Sequence, residues 1–144
     1  MDIWQAIQDD HRAIDRLLRR LAGTTEGDVP EREHLFERLR DALGRHARAE
    51  EEAFYPELQQ LAAARERVPE VLEDHAQFLI ALEDLAAMPK GTEVWAVRCA
   101  NLDREVRRHI RYEEDVLIPV ARERVAPREA EAMLRRFEAA KGLI

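Results

Sequence analysis

Apolar side chains recur along the chain every three or four residues, which is the spacing of one face of an α-helix. In the first such stretch, residues 2–22, the stripe consists of Ile3, Ile7, Ile14, Leu18 and Leu21. The same spacing continues at about 30–65, 69–88, 93–124 and 127–141. Because no stretch alternates as a β-strand does, the pattern predicts an all-α protein, an up-down-up-down four-helix bundle with a short C-terminal fifth helix.

Glycines and prolines mark the ends of the predicted helices. Residues 23–30 and 89–91 contain both residue types and predict turns. Pro56 and Pro119 instead fall inside the second and fourth stretches, where a proline ring removes an internal hydrogen bond. We therefore expect each of these prolines to kink or divide its helix.

Histidine and glutamate occupy positions that the stripes turn toward the core. In the first stretch His11 lies between Ile7 and Ile14. The second stripe is Leu35, Leu39, Leu43, His46, Glu50, Phe54, Leu58 and Leu61. The third is Leu72, His75, Leu79, Leu82 and Leu85, and the fourth is Trp95, Cys99, Leu102, Val106, His109, Glu113, Val116 and Val120. A carboxylate in such a position is costly unless it has a partner.

One pattern of polar residues occurs twice in the sequence. Residues 45–56 and 108–119 share Arg, His, Arg, Glu, Glu and Pro at a constant offset of 63 (46 to 109, 50 to 113). In each copy the His and the first Glu are four residues apart, so a helix places both side chains on one face.

A shorter repeat lies upstream of each copy. Asp10-His11 recurs as Asp74-His75, at an offset of 64 (11 to 75). Together the repeats predict two similar helical hairpins, each directing two His and one Glu into a shared interior. The hairpins cover about 1–65 and 68–124, and the C-terminal helix covers 127–141.

These repeats predict a metal site. Alone, a His on an apolar stripe is usually a hydrogen-bonded core residue, and a single His-x-x-x-Glu is usually a surface pair. Two copies in core register, each with a His one helix earlier, favour metal ligands instead. Imidazole and carboxylate together suit iron, with zinc and manganese as lesser alternatives. The predicted ligands are His11, His46, Glu50, His75, His109 and Glu113.

The remaining candidate residues receive structural interpretations. His34 lies 12 residues before His46 (34 to 46), off the stripe, and is predicted to be on the surface. Tyr112 neighbours Glu113 and is expected to pack in the ordinary way, as is Cys99 in the core. Acids that follow the two predicted Glu ligands are interpreted as solvated: Glu51, Glu52, Glu114 and Asp115.

Composition limits the possible partners and location. The 144 residues carry a net charge of −7, which argues against nucleic acid and anionic membranes as partners. A single cysteine excludes an internal disulfide framework. No apolar run has the length of a membrane span, and the N-terminus lacks a signal-peptide pattern. We therefore expect a cytoplasmic protein.

With their trailing prolines, the six predicted ligands resemble the motif of the hemerythrin-like (HHE cation-binding) domain family. The resemblance covers nearly the whole chain and implies a single domain over 1–144 with two non-haem iron ions in a bridged centre. It implies that His11 and His46 hold one iron and that His75 and His109 hold the other. Glu50 and Glu113 would bridge the two ions.

One departure from the oxygen-carrying hemerythrins changes the expected function. Those proteins have a fifth histidine in a His-x-x-x-His motif on the third helix, whereas here Val71 and Leu79 flank His75 at four residues. The resemblance therefore implies binding of, or reaction with, dioxygen or related small oxidants (peroxide, nitric oxide), in sensing or stress handling. A peroxide-decomposing or iron–sulfur-repair enzyme remains open, as does a non-catalytic bundle with a structural metal such as zinc.

Overall fold

The computed structural model describes residues 1–143, and within them it contains helices and no β-strand. The helices are α1 (Ile3–Ala22), α2 (Val29–Ala53), α3 (Tyr55–Gln59), α4 (Val68–Ala87), α5 (Glu93–Tyr112), α6 (Ile118–Arg124) and α7 (Pro127–Ala140). A 3₁₀ turn, Arg65–Arg67, precedes α4, and a π-helical turn, Glu113–Leu117, joins α5 to α6. The predicted all-α class is confirmed.

Four long helices form a closed ring. Contacts run from α1 to α2, from α2 to α4, from α4 to α5 and from α5 back to α1, while α7 packs across α1 and α2. This is the predicted four-helix bundle with an additional C-terminal helix. Among residues 1–143, no helix is both long enough and apolar enough to cross a membrane.

The apolar core consists of two clusters at opposite ends of the bundle. One contains Ile3, Ile7, Ala49, Ala53, Phe54, Val71, Leu117, Met133 and Phe137, with others. The second contains Ile14, Leu18, Leu39, Leu43, Phe78, Leu82, Trp95, Leu102 and Val106, with others. The long helices α1, α2 and α4 contribute buried side chains to both clusters, whereas α5 contributes them to the second, and polar side chains fill the layer between the clusters.

The inward face of α4 differs from the predicted one. Leu72 and Leu79 were expected in the core, but 40% and 51% of their surfaces are exposed. Val71 and Phe78 are buried instead. Both sets satisfy a three-and-four spacing around His75, so the pattern alone does not separate them. The structure selects the set with Phe78, whose ring packs against His109 with 5.3 Å between ring centroids.

The two repeated prolines have different local consequences. Pro56 is the second residue of α3. The preceding helix α2 ends at Ala53, well before the predicted end of the second helix near residue 65. Pro119 is the second residue of α6, which continues from α5 through the wide π turn. A π turn contains one residue more than an α-helical turn, so the residues after it are rotated about the helix axis. Leu117 is therefore fully buried, while the predicted core residue Val116 is only partly buried.

Two glycines provide a test of this packing. A Cβ at Gly91 would lie 2.8 Å from Val29 Cγ2 and 3.1 Å from the Glu26 carbonyl oxygen, so Gly91→Ala should destabilise the fold by about 1–3 kcal/mol. A Cβ at Gly44, inside α2, would meet nothing within 4 Å, so Gly44→Ala should stabilise by about 0.5–1 kcal/mol. Urea unfolding of the two variants measures both values, and an equal effect of both would contradict the described packing.

Candidate metal centre

All six predicted ligands lie in the polar layer between the two core clusters. His11 is on α1, His46 and Glu50 are on α2, His75 is on α4, His109 is on α5, and Glu113 is the first residue of the π turn. Each histidine is at most 4% exposed, and both glutamates are fully buried. The helical hairpins thus bring together side chains that are up to 102 residues apart in the chain (11 to 113).

The six side chains form two overlapping groups with the spacing of metal ligands. In each group the potential ligand atoms lie within 4.8 Å of one another, and the groups are His11, His46, Glu50 and Glu113, then Glu50, His75, His109 and Glu113. Both glutamates belong to both groups. Each group could hold a metal ion, and the two glutamates are available to both.

Short distances connect each glutamate to both groups. Glu50 Oε1 lies 3.3 Å from His46 Nε2 and 3.2 Å from His75 Nε2. Glu113 places Oε1 3.1 Å from His11 Nε2 and Oε2 3.3 Å from His109 Nε2. The Nε2 atoms of all four histidines therefore face the centre of the cluster.

The other ring nitrogen of each histidine pairs with a carboxylate. His46 Nδ1 lies 2.8 Å from Asp10 Oδ2, and His109 Nδ1 lies 2.8 Å from Asp74 Oδ2. Each of these pairs lies within one hairpin. With Nδ1 as the donor, each imidazole is held in one orientation with Nε2 directed inward, as metal-binding histidines require.

The remaining two pairs join the hairpins to each other. His11 Nδ1 lies 2.6 Å from Glu114 Oε2, and His75 Nδ1 lies 2.8 Å from Glu51 Oε2. The interpretation of Glu51 and Glu114 as solvated acids missed these bonds, although the two side chains remain 42% and 35% exposed. The repeat itself contained the signal, because both acids directly follow the paired glutamates at the same offset of 63 (51 to 114).

Tyr55 lies inside the cluster, and sequence reasoning assigned it no role. Its hydroxyl donates to Glu113 Oε2 at 2.6 Å and lies 3.1 Å from Glu50 Oε1. It also lies 3.0 Å from His75 Nε2 and 3.3 Å from His109 Nε2. The phenol oxygen thus belongs to the group that contains the second histidine pair.

The end of α2 at Ala53 explains why Tyr55 points into the cluster. Tyr55 begins α3, and its counterpart in the repeat is Ile118 (55 to 118), which is buried in the apolar cluster. Tyr112, the tyrosine considered from the sequence, points elsewhere, and its hydroxyl accepts a hydrogen bond from Arg67 at 2.6 Å. No repeat identified Tyr55, since only one hairpin carries it.

Charges inside the layer shift the pKa values of its members. Burial disfavours the charged form of His46, but the charge of Glu50 and the hydrogen bond to Asp10 outweigh it and raise the pKa to about 10. Burial is likewise outweighed at His109, where the charge of Glu113 and the bond to Asp74 raise the pKa to about 12. Burial would raise the pKa of Glu50, but the charge of His46 and hydrogen bonds from histidines hold it well below its usual value.

The donor set fits a cation. His46 Nε2 and Glu50 Oε2 are buried and have no hydrogen-bond partner among the described residues. A buried polar atom without a partner is costly, and a metal ion between these atoms would satisfy both. Outside the layer, His34 is exposed, as predicted, and burial raises the pKa of the Cys99 thiol to about 11.

A helical bundle with two histidine pairs and two shared glutamates defines a class of cation-binding proteins. The family model described as Hemerythrin HHE cation binding domain matches residues 2–121. The chain therefore belongs to the hemerythrin HHE cation-binding domain family, as the six ligand positions predicted.

Two individual proteins are similar to the chain. A crystal structure of a hemerythrin HHE cation binding domain-containing protein from Mycobacterium kansasii has a TM-score of 0.82 at 24% identity, and the match covers 99% of this chain and 88% of that chain. This likeness shows the fold. A protein of Nostoc sp. named DNA nickase is 26% identical over 144 residues, and this chain spans 40% of its length.

The raised histidine pKa values predict how the stability of the metal-free protein depends on pH. A pKa above the unfolded value near 6.5 adds stability that is complete below that pH and is lost as pH rises through the folded pKa, here about 10 for His46 and about 12 for His109. Urea unfolding of chelator-treated protein should show stability falling from pH 6.5 to 10. His46→Gln should flatten this slope, whereas the exposed control His34→Gln should not change it. An unchanged slope in His46→Gln would contradict the assigned pairing.

Proposed function

We propose that this chain holds two non-haem iron ions and that it binds or reacts with dioxygen or related small oxidants such as peroxide and nitric oxide. His11 and His46 would hold one ion, His75 and His109 the other, and Glu50 and Glu113 would bridge. The two overlapping ligand groups carry this proposal, because their shared members are the two glutamates. Nitrogen and carboxylate donors in this ratio suit iron.

The burial of the centre supports a small reactant. The six proposed ligands are at most 4% exposed. One surface groove, with a volume of about 220 Å³, reaches His11 and Glu114 between α1 and α5. A molecule of two to four atoms fits such an approach without separation of the helices.

Tyr55 is an additional oxygen donor in the proposed centre. Burial and the charges of Glu113 and Glu50 hold its pKa well above the usual value, so the phenol is protonated while it hydrogen-bonds these carboxylates. Its oxygen lies 3.0 Å from His75 Nε2, in the half that the absent fifth histidine of oxygen carriers would have completed. We propose that Tyr55 supplies this position, as a ligand or as a hydrogen-bond donor to the reacting molecule.

The protein groups have separate tasks in this mechanism. When bound, the two ions would supply redox chemistry, that is, the electrons that reduce the oxidant. The histidines exchange their Nε2 protons for the cations, and the carboxylates on Nδ1 keep the rings in orientation. The apolar clusters above and below exclude bulk water. Glu51 and Glu114, which are 42% and 35% exposed, connect the inner histidines to solvent and can carry protons.

Specific results would favour the other interpretations. Steady oxygen evolution from added peroxide would identify a peroxide-decomposing enzyme, whereas a stoichiometric, reversible spectral change would indicate a carrier or sensor. Restoration of a damaged iron–sulfur protein would indicate repair. A colourless protein that retains zinc during anaerobic loading with iron would indicate a structural metal. We extend no nickase activity to the chain, because its net charge of −7 disfavours a nucleic-acid partner.

Metal analysis tests the ligand assignment directly. Anaerobically loaded wild-type protein should contain two irons per chain, and its absorption spectrum should change in air. His46→Ala and His109→Ala should each lower the content to one ion or fewer, since each removes a donor from a different group. His34→Ala is the control, because this side chain is exposed, and it should retain both ions. Equal loss from all three variants would refute the assignment.

Substitution of the central tyrosine separates the two roles proposed for it. If the phenolate is a ligand of ferric iron, Tyr55→Phe should remove a visible charge-transfer band while both irons remain. If it only donates a hydrogen bond, the spectrum should persist and the rate of reaction with the oxidant should change. Tyr112→Phe is the matched control, since its hydroxyl pairs with Arg67. A Tyr55→Phe protein with an unchanged spectrum and rate would exclude both roles.

A further inference from the structure

The C-terminal helix contacts only one of the two proposed metal positions. Phe137 on α7 packs its ring edge-on against His46, with 6.0 Å between centroids. The Lys141 ammonium group, directly after α7, pairs with Asp10. The matched family region ends at residue 121, so α7 lies beyond it.

Lys141 and His46 meet on the same carboxylate. Asp10 Oδ2 lies 2.8 Å from His46 Nδ1, while Oδ1 accepts from Lys141 Nζ. The carboxylate is 14% exposed and the lysine 20%, so solvent screens this pair less than a surface ion pair. Lys141 therefore restricts the Asp10 carboxylate, and through it the ring that presents Nε2 to Glu50.

The end of α7 is held in a defined position. Arg45 on α2 donates from Nη1 to the Lys141 carbonyl oxygen at 3.0 Å. Gly142 follows with a positive φ of 80°, and the Leu143 amide then bonds to the Glu138 carbonyl at 2.9 Å. A left-handed glycine with such a backward bond is a common helix end. Lys141 thus belongs to an ordered cap, and its contact with Asp10 is a consistent part of the packing.

The second half of the repeat lacks this arrangement. Among residues 1–143, the cationic neighbour of Asp74, the counterpart of Asp10, besides its histidine is Arg108, at 3.8 Å, and that side chain is 56% exposed. The aromatic ring that packs against His109 belongs to Phe78 on α4, one of the four main helices. Within residues 1–143, the contact with α7 is therefore described for the first half, whereas the outside element beside the second half is α3 with Tyr55.

We propose that α7, through Lys141 and Phe137, positions His46 and so controls how firmly the His11–His46 position retains its metal ion. This inference rests on the proposed two-metal site. Lys141 is a positioning residue, because it acts through Asp10 and touches no proposed ligand. The two metal positions would then differ in lability, although the repeat makes their ligands alike.

Metal removal by a chelator tests this proposal. In the loaded wild-type protein we expect two ions, and in Lys141→Met we expect one of them to leave several-fold faster, below the ~10–100-fold range for direct partners of ligands. Lys90→Met is the matched control. Lys90 is the only other lysine in the sequence, and it lies over the Phe36 ring at 5.3 Å, as Lys141 lies over the Phe137 ring at 5.7 Å. Lys141→Arg should restore slow release.

A double substitution separates positioning from general loosening. If Lys141 acts through Asp10, adding Lys141→Met to Asp10→Asn should cause no further acceleration. Unchanged release in Lys141→Met, equal acceleration of both ions, or additive effects of the two substitutions would each overturn the inference while the two-metal site remained. Failure of the wild-type protein to bind two ions would refute the proposed function, and with it this inference, before any variant is compared.

Discussion

Two carboxylates in an apolar core, Glu50 and Glu113, are the constraint on which the rest of the layer depends. Both are fully buried, and an ionised carboxylate is stable there only with nearby positive charge. Four imidazoles meet this requirement, and each imidazole in turn is oriented by an outer carboxylate. Protons on the histidines or metal ions between them can supply the charge. The same geometry therefore serves the fold without metal and the proposed centre with it, and the two forms differ by an exchange of protons for cations.

Much of this arrangement follows from periodicity and from the repeat. The helical stripes predict the bundle, and the repeat places six polar residues in core register. Spacing alone does not determine helix rotation, however, because Leu72 and Val71 fit the same pattern around His75 and only the packing of Phe78 separates them. The contacts of the outer acids were missed for a different reason. Glu51 and Glu114 lie beside the stripe, and their partners are on the opposite hairpin, so helical periodicity does not show the contact, although the repeat marks both positions.

The two hairpins have diverged where their prolines lie. In the first hairpin the helix ends at Ala53, and Tyr55 points into the centre. In the second hairpin the helix continues through a π turn, and Ile118 is buried among apolar side chains. On the opposite side, Phe137 of α7 packs against His46, whereas in the part of the chain that the structure describes the ring against His109 comes from α4. Each half of the proposed site therefore has one feature that the other lacks: an additional oxygen donor in one, and an external helix in the other. Similar ligands in unlike surroundings are expected to differ in reactivity.

This asymmetry bears on the distinction between an oxygen carrier and a reactive centre. In oxygen carriers the third helix supplies a fifth histidine, four residues from another histidine. Here the two positions four residues from His75 are Val71, which is in the apolar core, and Leu79, which faces solvent. The phenol of Tyr55 approaches the same histidine pair from α3. A phenolate oxygen is a harder donor than imidazole and favours the ferric over the ferrous state. In the proposed centre, a ligand of that kind would disfavour reversible binding of dioxygen, and a hydrogen-bonding phenol could donate a proton to the oxidant. Either role would agree with the proposed chemistry of small oxidants rather than with reversible carriage.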